Sequence, residues 1–299
     1  MPLADRARTA AVVGLYRAGS TVARALPESA PEPLSRAAAP LLAASLGSRR
    51  RMVARHLRRV HGELADEALD REVRRSFASY ARYWLESFRV PDRSPEELRA
   101  GMSCDGFGHI EEARAAGKGV ILALPHLGGW EYGGAWLGAL GHPVTVVVEP
   151  LEPPELFTWF ADFRSRLGME VVPLGPGVSG AVLRALRANR IVCLLCDRDL
   201  GGDGPEVEFF GERTTLPAGP VTLGLRSGAP VLPTAVYFDG RDRHRGRVEP
   251  PLDLTRRGRL REDVAAGTQA LATALEGLIA AAPEQWHLLQ PNWPSDRVT

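Results

Sequence analysis

The chain has 299 residues, 44% of them hydrophobic and 24% charged. These are ordinary globular proportions and exclude a disordered chain or a coiled coil. Three cysteines exclude a disulfide scaffold, and a net charge of +1 excludes a uniformly basic surface for nucleic acid.

The charge is unevenly placed. Residues 1–60 hold eleven arginines (Arg6, Arg8, Arg17, Arg24, Arg36, Arg49, Arg50, Arg51, Arg55, Arg58 and Arg59) and three acidic residues, an excess of eight positive charges. The remainder is therefore acidic by seven. Apolar stretches such as Ala11–Tyr16 and Leu41–Leu46 lie among these arginines. No run reaches the roughly 18–20 apolar residues of a spanning helix. Asp5, Arg17 and Arg24 interrupt any signal-peptide core. The pattern suits a basic amphipathic segment lying on an anionic membrane surface. A solvated helical hairpin carries the same composition.

Helices are expected over 3–25 and 67–89, with Pro27, Pro31 and Pro33 breaking the first hairpin. In the second, Val73, Phe77, Tyr80, Tyr83 and Trp84 recur at helical spacing. From about residue 102, strand and helix patterns alternate. Short apolar runs at 119–124, 144–148, 170–174, 191–195 and 230–237 read as buried strands. Helical patterns at 107–117, 130–141, 154–168, 179–189 and 217–228 separate them, and a last helix is expected near 259–281. Strands apolar on both faces predict an α/β fold with a mostly parallel central sheet flanked by helices. The economical organisation is a single domain over 1–299, with a helical extension over 1–90 and an α/β core over 100–299.

Pro125-His126-Leu127-Gly128-Gly129-Trp130-Glu131 follows directly on the 119–124 strand. Ligands of open α/β sheets bind outside the carboxyl ends of the strands. A histidine there suits proton abstraction at neutral pH. Glu131, five residues on, can meet His126 only if the histidine lies in the turn before the helix. It would then fix the imidazole tautomer. The glycines would let a substrate approach the backbone, and the helix N-terminus would favour an oxyanion or phosphate. Taken alone, H-x4-E is equally a capping glutamate beside a structural histidine. No His-rich cluster completes a metal site, and no G-x-S-x-G elbow supplies a serine nucleophile.

In this position the motif resembles that of the glycerolipid and lysophospholipid acyltransferases, and its surroundings resemble the lipid A acyltransferase branch. Asp197-Arg198-Asp199, Phe209-Phe210-Gly211 with Leu216–Pro220, Arg164–Gly168 and Pro283-Glu284-Gln285-Trp286 resemble further elements of that branch. The likeness covers roughly residues 50–293. Val148-Glu149-Pro150 stands where lipid A enzymes usually carry an arginine before the proline. With a composition suited to a high-GC genome, this turns the resemblance toward the actinobacterial branch acting on phosphatidylinositol mannosides.

The resemblance implies transfer of a long acyl chain, typically palmitoyl, from acyl-CoA to a mannose hydroxyl. His126 would be the general base and Glu131 its partner, with no covalent acyl-enzyme and no cofactor or metal beyond acyl-CoA as donor substrate. Arg164, Arg166 and Arg198 become candidates for coenzyme A phosphates. Glu149, Asp197, Asp199, Glu206 and Glu208 become candidates for sugar contacts or for positioning those arginines, with Glu206 grouped with the acyl-CoA set. The implied partners are acyl-CoA, a phosphatidylinositol mannoside or related glycolipid and an anionic membrane surface, with no nucleic acid. The implied location is peripheral, at the cytoplasmic face of the inner membrane.

Alternatives remain at this point. The acceptor would be another glycolipid or a lysophospholipid if the lipid A likeness governs. Gly175-Pro176-Gly177-Val178-Ser179-Gly180 matches G-x-G-x-x-G between a strand and a helix, with Asp197 seventeen residues on, as a dinucleotide-binding enzyme requires. Pro176 removes one backbone donor from that loop. A non-catalytic membrane scaffold would also use the basic N-terminus. Cys193-Leu194-Leu195-Cys196 is expected in the core, its two side chains on opposite faces of a strand. Trp130, Trp159, Trp286 and Trp293 are equally interfacial anchors or core aromatics.

Overall fold

The computed structural model describes residues 3–150 and 152–297. The side chains of residues 3–8, 10 and 11, Arg6 and Arg8 among them, lie outside the described residues.

Four helices open the chain: α1 (Leu3–Ala25), α2 (Pro31–Ser45), α3 (Gly47–His61) and α4 (Asp66–Arg89). The inward face of α4 buries Leu69, Val73, Phe77, Tyr83 and Phe88. Ala39 and Ala43 of α2 and Val53 and Leu57 of α3 pack with its first half. Val13 and Ala23 of α1 join Phe88 and Phe160 in a separate cluster. The break expected at Pro31 and Pro33 is instead the start of α2. A proline in the first turn lacks only an N–H that has no helical partner there.

A short helix, α5 (Pro95–Ala100), is capped reciprocally by Ser94 and Glu97. There follow β1 (Met102–Asp105), α6 (Phe107–Ala115), β2 (Val120–Leu124), α7 (Trp130–Ala139), β3 (Val144–Val148), α8 (Pro154–Arg166), β4 (Met169–Pro173), α9 (Val178–Arg187) and β5 (Ile191–Leu195). The chain continues through the hairpin of β6 (Glu206–Phe209) and β7 (Glu212–Thr215). It ends with α10 (Gly219–Ser227), β8 (Val231–Asp239), β9 (Arg243–Val248), α11 (Leu260–Ala280) and a tail to Arg297.

The strands form a seven-stranded sheet in the order β1-β9-β8-β2-β5-β3-β4. Neighbours from β8 to β4 run parallel, and β9 returns antiparallel to β8 with β1 parallel beside it. The mostly parallel α/β sheet read from the sequence is the observed fold. β2 is buried along its whole length, which explains its unbroken apolar run. One face of the sheet packs against α9 and α11 through Ile121, Val192, Leu186 and Leu275. The other packs against α6 and α7 through Leu122, Ile191, Ile110 and Trp136.

The topology bears on two sequence motifs. The G-x-G-x-x-G loop follows β4, the edge strand, and Gly177 caps α9 in the left-handed conformation. A turn at the sheet edge is not the crevice in which this class of fold holds a dinucleotide. Cys193 and Cys196 lie on opposite sides of the sheet, and both are free.

Candidate active site

Strand register builds the site. Leu124 of β2 pairs with Leu195 of β5. Two residues beyond each end stand His126 and Asp197, at equal offsets on adjacent parallel strands. They meet: His126 Nδ1 lies 2.6 Å from Asp197 Oδ1, and the His126 backbone N–H donates to Asp197 Oδ2 at 3.0 Å. Trp286 Nε1 donates to the same Oδ2 at 2.8 Å.

The Asp197 side chain is 0% exposed and that of His126 27%. Burial alone would raise the Asp197 carboxyl. The facing His126 ring and the hydrogen bonds from His126 and Trp286 outweigh burial and hold it below the ordinary value. Asp197 is therefore a carboxylate, and His126 presents its N–H at Nδ1. Nε2 is left with its lone pair outward. No side chain among the described residues hydrogen-bonds Nε2.

This arrangement corrects two expectations. The carboxylate beside His126 is Asp197, not Glu131. Asp197, expected to contact a sugar, is fully buried and has its acceptors taken by His126 and Trp286. Glu131 lies in the first turn of α7 and turns under the helix, where the Arg164 guanidinium at the end of α8 grips both its oxygens. Side-chain exposures of 6% for Glu131 and 16% for Arg164 make this a buried ion pair.

The glycines also serve another purpose than expected. Gly128 N–H donates to Gln285 O and Gly129 N–H to Val236 O, so neither amide is open to a substrate. A Cβ on Gly128 would sit 2.2 Å from Val236 O, and one on Gly129 2.6 Å from the His244 ring. The absence of side chains lets the His126 loop press against β8 and β9.

The remaining candidates divide. Glu149, just past β3, pairs with Arg198, just past β5, at 2.8 Å. These two stand on the same strand-end rim as His126. Asp199 is spent on its own loop, accepting from the N–H groups of Gly201 and Gly204. Glu206 lies on the β6–β7 hairpin and pairs with Arg213 across it. Glu208 on that hairpin is exposed, as is Arg166 at the end of α8. None of their hydrogen bonds or ion pairs reaches His126, Asp197 or Arg164.

Beneath α7 lies a largely apolar cavity. Its walls come from all seven sheet strands, from Met169 of β4 across to Met102 and Cys104 of β1. Glu131 and Arg164 are polar features of its wall, and Trp130 links it to the site, lining the cavity and meeting the His126 ring edge-on at 5.6 Å. Cys104 and Cys193 also face it. Burial pushes both thiols up to about 12, so they stay protonated and weakly nucleophilic at neutral pH.

The C-terminal tail, which the sequence marked only as rich in Trp and Pro, closes the site from behind. His287 N–H donates to His126 O at 2.7 Å, and Asn292 Nδ2 to Asp197 O at 3.0 Å. Asp296 fixes the tail's end against His56 and Arg59 of α3. Trp286 and Trp293 are thus core residues, 4% and 0% exposed, not membrane anchors. The signal that would have found Asp197 is its offset from the end of β5, matched to that of His126 from β2.

His287 is buried with Nε2 against Ser79 Oγ at 2.8 Å. Burial, aided by nearby His126, drops it to about 3, so it is neutral in the native state. An unfolded histidine takes up its proton near pH ~6.5. Between these values the unfolded chain binds the extra proton, and native stability falls as pH is lowered. Calorimetric melting temperatures between neutral pH and pH ~4 should fall less steeply in His287→Gln than in the wild type. Parallel curves would refute this role.

Comparison with known proteins agrees with the geometry. The family model for bacterial lipid A biosynthesis acyltransferase matches residues 5–295. A phosphatidylinositol mannoside acyltransferase of Mycolicibacterium smegmatis is 40% identical over 94% of this chain and 91% of its own length. One from Mycobacterium tuberculosis is 41% identical over 94% of this chain and 88% of its own. A lipid A biosynthesis acyltransferase of Haemophilus influenzae is 26% identical over 74% of this chain and 68% of its own.

Proposed function

The chain belongs to the bacterial lipid A biosynthesis acyltransferase family, and from that premise we propose that it moves a palmitoyl-length chain from acyl-CoA to a mannose hydroxyl of a phosphatidylinositol mannoside. That it is an acyltransferase follows from the family. The acceptor is supported by the names of the mycobacterial relatives, which cover most of both chains. Transfer of an acyl chain is supported by the apolar cavity, where each buried methylene contributes about 0.8 kcal/mol.

The observation that carries the reading is the partly exposed His126, backed by buried Asp197 and linked through Trp130 to an apolar cavity. In the proposed step His126 Nε2 takes the proton of the sugar hydroxyl as its oxygen attacks the thioester carbonyl. The C–S bond breaks, and the thiolate of coenzyme A recovers that proton from the imidazolium. The carboxylate of Asp197 stabilises the imidazolium in between. Glu149 and Arg198 hold each other at the rim, from where Glu149 would turn to sugar hydroxyls and Arg198 to a phosphate. Arg164, closed around Glu131, shapes the cavity wall.

The test is release of the coenzyme A thiol from palmitoyl-CoA by purified protein, with and without a phosphatidylinositol mannoside. Acceptor-dependent release with acyl-mannoside formation is expected. Acceptor-independent thiol release with no acylated product would overturn the transfer reading.

No helix among the described residues is long and apolar enough to cross a membrane. α1 and α2 nevertheless expose apolar residues at helical spacing on their outer faces: Leu15 (73%) and Val22 on one, Leu34 and Leu41 (76%) on the other. Exposed Arg17 stands on α1, and exposed Arg36 on α2, where it pairs with Glu32. We propose that these faces lie on the anionic membrane that holds the acceptor. Leu15→Glu and Leu41→Glu should each lower sedimentation with anionic liposomes about tenfold, since burying one leucine contributes about 1.5–3 kcal/mol. Unchanged partitioning of both variants would remove the proposal.

A further inference from the structure

We propose that Trp286 is a positioning residue of the acyl transfer: its indole N–H fixes the Asp197 carboxylate, which in turn holds His126 with Nε2 turned outward. This rests on the His126–Asp197 reading given above.

Asp197 has three donors. His126 Nδ1 reaches Oδ1 at 2.6 Å, while the His126 backbone N–H and Trp286 Nε1 share Oδ2 at 3.0 and 2.8 Å. Two of the three come from the residue that the carboxylate must orient. Only Trp286 supplies a donor from a different segment of the chain. Without it Oδ2 keeps one donor, and the carboxylate plane turns with the loop it is meant to hold.

The indole is itself well anchored. Trp286 pairs with Leu127 in an antiparallel bridge. Its ring is 4% exposed and rests against His56 at 5.5 Å and Phe210 at 5.8 Å. A buried indole must place its N–H on some acceptor. Its neighbour Trp293 satisfies that need with a backbone carbonyl, Phe209 O. Trp286 instead donates to a buried charged side chain, the stronger class of hydrogen bond.

The experiment separates the N–H from the ring. 3-Benzothienylalanine at position 286 keeps the bicyclic shape and replaces N–H by sulfur. The expected result is a kcat about tenfold lower, the size of one hydrogen bond to a charge, with KM unchanged and the protein still folded at the assay temperature. In an Asp197→Asn background the same replacement should cost less than about twofold further, because the effect passes through the carboxylate. An unchanged kcat, or an equal loss in both backgrounds, would overturn the role of Trp286. Full activity of Asp197→Asn by itself would instead overturn the dyad, and this inference with it.

Discussion

His126→Ala is expected to lower kcat/KM for acyl transfer by roughly 10³–10⁴-fold, the upper part of the range for removing a general base. Asp197→Asn is expected to cost about 10²–10³-fold, since it keeps the shape but favours the wrong imidazole tautomer. Both chains should fold. His126 is 27% exposed at the side chain, so its removal opens no deep void. Asp197→Asn retains an oxygen for one donor, although its amide group must oppose another. Steady-state thiol release, with circular dichroism and melting curves as controls, reads both. A folded His126→Ala protein of wild-type rate would falsify the general-base assignment. The two losses should not add in the double variant, because the carboxylate acts through the imidazole.

Arg164→Ala is expected to destabilise the fold by about 3–5 kcal/mol, because it strands the Glu131 carboxylate beneath α7. Glu131 has 6% side-chain exposure, and its neighbours in the cavity wall are apolar residues such as Leu195, Val148 and Trp130. Solvent cannot replace the lost partner. Chemical denaturation should show a lower midpoint in Arg164→Ala, and Glu131→Gln/Arg164→Met should recover much of the difference, since removing both charges of a buried pair is often nearly neutral. A single variant as stable as the wild type would show that water reaches Glu131. The activity of the double variant then reports what the pair does for catalysis apart from folding.

The parts of the fold that were legible in the sequence are those whose burial is uniform. β2, β3 and β5 lie inside the sheet, so their residues form apolar runs, broken only by Thr145, with nearly correct ends. β9 was not found because Arg243-His244-Arg245-Gly246-Arg247-Val248 alternates exposed and buried residues and reads as a charged loop. β1 and the β6–β7 hairpin are short and half-polar for the same reason. α2 and α3 were legible only as a helical region, their boundaries hidden by Pro31 and Pro33.

At the site, His126 was found by its place after a strand. Its partner was sought five residues away along the chain and lies seventy-one residues away across the sheet. Local spacing describes a helix face well, but parallel pairing joins residues through a register no short motif records. The acidic residue was in view within Asp197-Arg198-Asp199, but its role was misassigned to a sugar contact.

The strand order has a consequence for how the protein is made. β5 lies between β2 and β3, although β3 and β4 are synthesised first. The early part of the sheet must stay open, or reopen, until β5 arrives. A nascent chain ending anywhere before residue 197 holds His126 without its carboxylate, and one ending before residue 286 holds the pair unbraced. Long-range closure of this kind comes late in folding, since the loop entropy is lost before the contacts repay it. The His126–Asp197 pair, with its Trp286 brace, is thereby assembled only when nearly the whole chain has emerged.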